Sequence, residues 1–290
     1  MSTETATDQP DTTPAEGSHL SLDEAAERAG VHYMTVYRWV RTSRLPATKQ
    51  GGRWVVDPDD LERMLDAGSK TGSKTEQRSS SPEVTVSRLC TALVSGDAAG
   101  AHRLLEDAMV GGLDAEQAHL DLLSGALVAV GEGWAAGELS VAQEHRATAT
   151  AHRLLGMLAH HFNRPGRRRG TVVLGAPAGD RHALPTALLS GPVRGRGLDV
   201  IDLGADTPVS AFAEVAVATD RLRMIGIHTS VRVDRAVTAA IEAIRDAQVE
   251  VPILVGGGGV TDADHARELG ADEFAASSWD ALEKLTSGDN

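Results

Sequence analysis

Between Val84 and Phe162 apolar residues return every three or four positions, the spacing of helices that bury one face. Glycines at 96, 111, 112, 131, 133 and 137 punctuate the stretch, and Asp97 and Asp114 stand where N-caps stand. The pattern predicts four helices, over about 84–95, 98–109, 115–133 and 141–162, and short loops between them favour an up-down four-helix bundle. Ser140 and Gln143 have capping-box spacing at the start of the last one. Beyond Arg169 the period changes. Short apolar runs at Thr171–Ala176, Leu198–Leu203, Met224–His228, Ile253–Val255 and, weakly, Glu273–Ala275 alternate with helical segments near 184–195, 208–218, 231–247, 261–269 and 278–286. Such alternation predicts right-handed βαβ crossovers and a parallel sheet covered on both faces. Five strands suggest the flavodoxin-like (Rossmann-like) order.

Upstream the chain divides further. Residues 1–17 are rich in Thr, Asp, Pro and Glu and read as a disordered tail. Ser21 and Glu24 form a second capping-box pattern, Gly30 ends the helix it starts, and another helix follows from about Met34 to Thr42. Gln50 to Val56, with Gly51-Gly52 at the turn, reads as a hairpin wing. The expected organisation is multidomain α and α/β: tail 1–17, winged helix-turn-helix 18–67, Gly/Ser/Lys/Thr linker 68–83, four-helix bundle 84–165 and α/β domain 166–290.

Charge sharpens the reading of the first folded segment. With 28 basic against 41 acidic residues the net charge is −13, which excludes a protein that coats nucleic acid with its whole surface. Yet Arg28 to Val56 holds Arg28, Arg38, Arg41, Arg44, Lys49 and Arg53 and no carboxylate. That local excess points to double-stranded DNA, with His32, Tyr33, Thr35, Tyr37, Arg38 and Arg41 around the second helix and Lys49 and Arg53 on the wing as contacts. The bland alternative is a solvated helical pair that binds protein. Trp39 and Trp54 read as core, because so small a domain needs large side chains to close. One cysteine, Cys90, excludes a disulfide framework, and no apolar run has the roughly 20 residues of a membrane helix. The polar, acidic N-terminus lacks a signal-peptide core, so a cytoplasmic location is expected.

Asp180 and His182 lie in the loop after the first strand of the α/β domain, within Gly175 to His182. Loops at the carboxyl ends of parallel strands are where such sheets bind ligands. A histidine there can give one ring nitrogen to a metal while a carboxylate holds the other. Alone, an Asp-x-His triplet is more often structural. Arg167-Arg168-Arg169 reads as a solvated linker, and His160-His161 as a surface pair at a helix end favoured by the dipole.

Two resemblances add to this. Residues 19–66 resemble the helix-turn-helix of the MerR and excisionase families through Ser21-Leu22-x-Glu24-Ala25-Ala26, Thr35-Val36-x-Arg38-Trp39 and Gly52-Arg53. A bundle with Trp134, nine residues, then Glu144-His145, followed by an α/β domain with Asp180-x-His182, resembles the cobalamin-binding module of methionine synthase. Together they resemble the CarH/LitR class of cobalamin photoreceptor repressors. The resemblance implies that His182 ligates cobalt from below and that Asp180 orients it. Ser230, Gly256 and Gly257 would leave room for the displaced nucleotide tail, and Trp134, Glu144 and His145 would cover the upper corrin face. It also implies adenosylcobalamin as cofactor, a homo-oligomer (dimer or tetramer) on a DNA operator, control of assembly and DNA binding by ligand or light, and no enzymatic activity.

The chain departs from that pattern twice. Pro185 stands where the motif has glycine, adding bulk and removing an amide on the expected tail path, which predicts weakened or altered cofactor binding. Ala135 stands where the photoreceptors commonly have a histidine that captures cobalt after illumination. Two further readings stay open: a corrinoid carrier for methyl transfer, which uses the same module, and a regulator whose degenerate, cofactor-free module is a protein scaffold.

Overall fold

The computed structural model describes residues 19–29, 36, 39–40, 45–50, 53–69 and 82–287. The chain divides into two compact units, Met1–Arg78 and Ser79–Asn290.

In the first unit, β1 (Leu20–Ser21) leads into α1 (Leu22–Ala29), and β2 (Ala47–Gln50) and β3 (Arg53–Val56) precede α2 (Pro58–Ser69). The Ser21–Glu24 box forms: Ser21 N donates to Glu24 Oε2 at 2.8 Å and Glu24 N to Ser21 Oγ at 3.3 Å. β3 pairs antiparallel with both β1 and β2, in a register that sets Gln50 opposite Arg53. Leu22, Ala25, Ala26, Trp39, Leu45, Val56 and Leu61 build the core, with Trp54 packed against it, so both tryptophans serve closure. Of the helix read over 34–42, the structure describes Val36, Trp39 and Val40, all helical and buried. His32, Tyr33, Thr35, Tyr37, Arg38 and Arg41 lie outside the described residues; Lys49 and Arg53 take places on the facing strands β2 and β3.

In the second unit, α3 (Pro82–Ser95) and α4 (Ala98–Val110) are followed by α5 (Ala115–Gln117), a π-helical stretch (Ala118–Leu123), α6 (Ser124–Ala135), α7 (Val141–Leu158) and a 3-10 turn (Ala159–Phe162). Helix thus takes up both ends of the linker read over 68–83, with Pro82 at the first helical position, where its missing N–H costs nothing. Asp97, Asp114 and Ser140 cap as their spacing predicts, the last two in complete capping boxes. The uniform helix expected over 115–133 is corrected by the π-helical stretch. There Ala118, His119, Leu120, Leu122 and Leu123 are all buried. A regular amphipathic helix buries a single stripe; this segment has neighbours on two sides, since Trp279 Nε1 of the α/β domain donates to Asp121 Oδ1 at 2.8 Å.

The α/β domain runs β4 (Thr171–Gly175), α8 (Leu184–Gly195), β5 (Asp199–Asp202), α9 (Val209–Ala218), β6 (Leu222–His228), α10 (Asp234–Asp246), β7 (Ile253–Gly256), α11 (Ala263–Glu268), β8 (Glu273–Ala275) and α12 (Ser278–Thr286). All pairings are parallel, in the order β5-β4-β6-β7-β8, which is the flavodoxin-like order the alternation suggested. β4 is buried throughout and its alternate residues face opposite layers. Val172 and Leu174 join a core shared with the bundle, α8 and α12, whereas Val173 joins Phe212, Ile241 and Ala266 beneath α9, α10 and α11. Arg196, just past α8, forks onto Glu116 with bonds of 3.0 and 2.7 Å, a second tie between bundle and sheet. The strand order reverses between β4 and β6, so the loops after these strands flank a crevice.

Candidate functional site

The loop after β4 is built around one carboxylate. Asp180 is 0% exposed, and its Oδ1 accepts from His182 N at 3.0 Å and from His182 Nδ1 at 2.6 Å. Its Oδ2 accepts from Ser230 N, in the loop after β6. Burial pushes this carboxyl up, but the bonds from His182 and Ser230 outweigh burial and hold it below the usual carboxylate range. Asp180 is therefore ionised and fixes the His182 tautomer with Nδ1 protonated. The ring is 54% exposed and Nε2 has no hydrogen bond among the described residues. The arrangement is what a ligating imidazole needs, one nitrogen held by a buried carboxylate and the other presented.

A third loop braces the first. Asp206 N donates to Asp180 O at 2.7 Å, and Gly179 N, at φ +90°, donates to Asp206 Oδ1 at 2.7 Å. Nothing in the sequence pattern marked Asp206, because its role depends on two loops separated by a whole βα unit.

Ser230 links this loop to the next layer: its Oγ lies 2.9 Å from His228 Nε2. Burial depresses the His228 pKa to about 4, so the ring is neutral at physiological pH. A Cβ on Gly257, at φ +102°, would stand 2.4 Å from Thr229 O and 2.6 Å from His228 Cε1. One on Gly256 would stand 2.9 Å from Ala275 O, and one on Gly259 2.3 Å from Val231 O. Gly257 and Gly259 let the backbones of the loops after β6 and β7 touch, and Gly256 lets the end of β7 lie against β8, approaches that a side chain would block.

Beside them lies a cavity of about 440 Å³, within the usual range for small-molecule sites. His228, Gly256, Gly257 and Gly258 form part of its wall, Pro185, Thr186 and Leu189 of α8 another, and Ala275 to Ser278 with Ala281 a third; Leu174, Gly226 and Leu254 reach it from the sheet. Pro185 stands on the edge of this groove, as its sequence position led one to expect. Its ring lines the groove, and its missing amide falls in the first turn of α8, where helix N–H groups have no intrahelical partner.

The predicted bundle residues occupy a different kind of place. Trp134, at the end of α6, is 50% exposed and so is no core plug. Glu144 and His145 begin α7 and bond to each other, His145 Nδ1 lying 2.6 Å from Glu144 Oε2, while Thr148 Oγ1 donates to Glu144 Oε1 at 2.8 Å. His145 is 74% exposed. The structure thus brings Asp180, His182, Ser230, Gly256 and Gly257 into one network, and Trp134, Glu144 and His145 into a separate open face, with no hydrogen bond between the two groups among the described residues. Ala135 follows Trp134 at the end of α6 and carries no donor.

Comparison with known proteins agrees with this geometry. Residues 85–159 match one family described as a B12 binding domain and residues 170–286 a second of the same description; residues 20–69 match a helix-turn-helix domain. Trimethylamine corrinoid protein 1 of Methanosarcina acetivorans is 25% identical over 71% of this chain and 97% of its own length. The dimethylamine corrinoid protein of Methanosarcina barkeri is 32% identical over 41% of this chain and 56% of its own. The structure of the Methanosarcina barkeri monomethylamine corrinoid protein superposes with a TM-score of 0.60 at 19% identity, over 71% of this chain and 99% of that one, and so shares the fold. No helix among the described residues is long and apolar enough to cross a membrane. The matches support a cobalamin-binding protein that also carries a DNA-binding helix-turn-helix domain.

Proposed function

We propose that this chain is a transcriptional regulator in which cobalamin occupancy of the second unit controls assembly and thereby DNA binding by the first. The observation that carries the cobalamin half is the anchored imidazole of His182, with Nε2 presented beside a glycine-walled cavity of about 440 Å³. Bound cobalamin, proposed in its adenosyl form, would supply a cobalt centre that accepts an imidazole ligand. His182 would hold that cobalt, and Asp180 would keep its Nδ1 proton in place. The cavity between α8, β7 and α12, walled in part by Gly256 and Gly257, would take the nucleotide arm. Trp134, Glu144 and His145 would cover the other face of the ring.

The regulatory half rests on the helix-turn-helix match over residues 20–69, on the basic stretch from Arg28 to Val56 and on the antiparallel β2–β3 pair read as a wing. His32, Tyr33, Thr35, Tyr37, Arg38, Arg41, Lys49 and Arg53 would meet the operator, as a winged helix-turn-helix does. One domain this small binds DNA weakly, and joining two or four copies raises the effective concentration of each. The proposed role is binding and regulation rather than catalysis, in the cytoplasm.

The corrinoid proteins named for methylamines favour a second reading, a methyl carrier that works with a methyltransferase. Purified full-length protein incubated in darkness with adenosylcobalamin or methylcobalamin, freed of excess ligand and examined by visible spectrum and elution volume separates the two. Retained colour, a larger assembly with adenosylcobalamin and tighter operator binding support the regulator, and collapse of that assembly in green light adds light control. Retention of methylcobalamin with no change in assembly or DNA affinity favours the carrier, and no retained colour defeats both.

A further inference from the structure

The far end of the bundle holds a second cluster of metal-binding side chains, unrelated to the His182 loop. Glu106 of α4 and His160 and His161 of the 3-10 turn after α7 place one ligand atom each within 4.8 Å of one another. His161 Nε2 lies 2.7 Å from Glu106 Oε1, and His102 Nε2, one helical turn back on α4, lies 3.3 Å from the same oxygen. The two imidazoles of the turn lie against each other at a tilt of 38°, centroids 3.9 Å apart. His160 Nδ1 donates to Met157 O at 2.9 Å, which fixes its tautomer and leaves Nε2 as a lone-pair donor. A backbone carbonyl holding the far nitrogen is the usual support of a metal-bound histidine.

We infer that Glu106, His160 and His161 form a site for a divalent transition cation of the Zn2+ class, with His102 holding the carboxylate. Ligands around tetrahedral zinc stand ~3.3 Å apart, since Zn–N and Zn–O are about 2.0–2.2 Å. The cluster reaches that spacing by small side-chain movements. The ion enters as His161 moves its proton from Nε2 to Nδ1 by exchange with solvent, staying neutral, and the Glu106–His161 hydrogen bond is replaced by one bond from each residue to the metal. Two imidazoles and a carboxylate suit zinc, nickel or copper better than the oxygen-seeking magnesium or calcium.

The position gives the site a consequence. Phe162, next to His161, lies so close to α8 that a Cβ on Gly191 or Gly195 would stand 2.8 Å from its ring. An ion joining α4 to this turn therefore stiffens the point where the chain leaves the bundle for the α/β domain.

The test uses untagged full-length protein, stripped with a chelator and titrated with Zn2+ in competition with a chromophoric chelator. One equivalent should bind, and affinity should fall tenfold or more in His160→Ala/His161→Ala and in Glu106→Gln, whose amide oxygen keeps the His161 bond and the fold. His182→Ala should leave binding unchanged. Melting curves in chelator confirm that each variant is folded. Absence of stoichiometric binding to the wild type, or unchanged affinity in both bundle variants, overturns the proposal. Loss of cobalamin retention in His182→Ala with zinc binding intact separates this site from the corrin reading.

Discussion

The carboxyl edge of the sheet and the open face of the bundle contribute to the same proposed ligand, yet they are built by opposite means. At the sheet edge a fully buried Asp180 gathers His182 and Ser230, and glycines bring two loops into backbone contact. At the bundle face Trp134 and His145 stand in solvent, held by a helix end and one neighbouring carboxylate. A preformed half can define where a ligand sits, while an open half reports that something has arrived. The difference also separates what mutation should do: at the sheet edge binding and stability are coupled, and at the bundle face they are not.

The largest expected effect is at the glycine contact. Gly257→Val forces a β-branched side chain into φ +102° and against Thr229 O, and should cost roughly 3–5 kcal/mol in urea unfolding together with cobalamin retention. A loss below 1 kcal/mol would show that the two loops can separate freely.

Acid should come next. Burial depresses His228 and His119 to about 4 each, the latter with its ring edge-on to Phe162 at 4.6 Å. The unfolded chain binds protons at these residues from near pH 6.5 downward while the folded chain resists them, so stability falls as pH drops from ~6.5 to ~4. Each contributes on the order of 3 kcal/mol across that window. His228→Gln should flatten the pH dependence of the urea midpoint by about half of their joint effect, and an unchanged profile would mean that His228 is hydrated.

Removing the central carboxylate should be milder. Asp180→Ala leaves the Ser230 N–H and His182 Nδ1 without an acceptor, at a cost of about 1–3 kcal/mol. Because the folded carboxyl titrates below its ordinary value, its contribution is present above pH ~4 and lost as pH falls through the folded value, so the variant's deficit should shrink in acid. Cobalamin affinity measured by equilibrium dialysis should fall ~10–100-fold.

The smallest stability effects belong to the bundle. Trp134→Ala and His145→Ala should change unfolding free energy by less than about 0.5 kcal/mol while altering the visible spectrum or assembly of the cobalamin-loaded protein. If either variant destabilises the chain as Asp180→Ala does, the two regions are not distinct.

Local signals were legible where the physics is local. Ser21–Glu24, Asp97, Asp114 and Ser140 cap their helices because a side chain reaches a free amide three residues on. α8 and α12 begin and end where the periodicity changes, and the alternation of strand and helix gave the parallel sheet. Asp180 and His182 were readable as a pair because they are two residues apart in a loop after a strand. The π-helical stretch at Ala118–Leu123 was not, because its extra burial comes from α8 and Trp279 of the α/β domain on its far side.

What the amino-acid order determined, then, was the set of elements, their caps and the imidazole–carboxylate pair, each specified by residues within a few positions of one another. Only the tertiary structure decided that Ser230 completes Asp180, that Asp206 braces it, that Pro185 lines the groove and that Glu106 meets His160 and His161. Those outcomes depend on distances between segments set by packing of the whole core, where a shift of one ångström changes a wall into an obstruction.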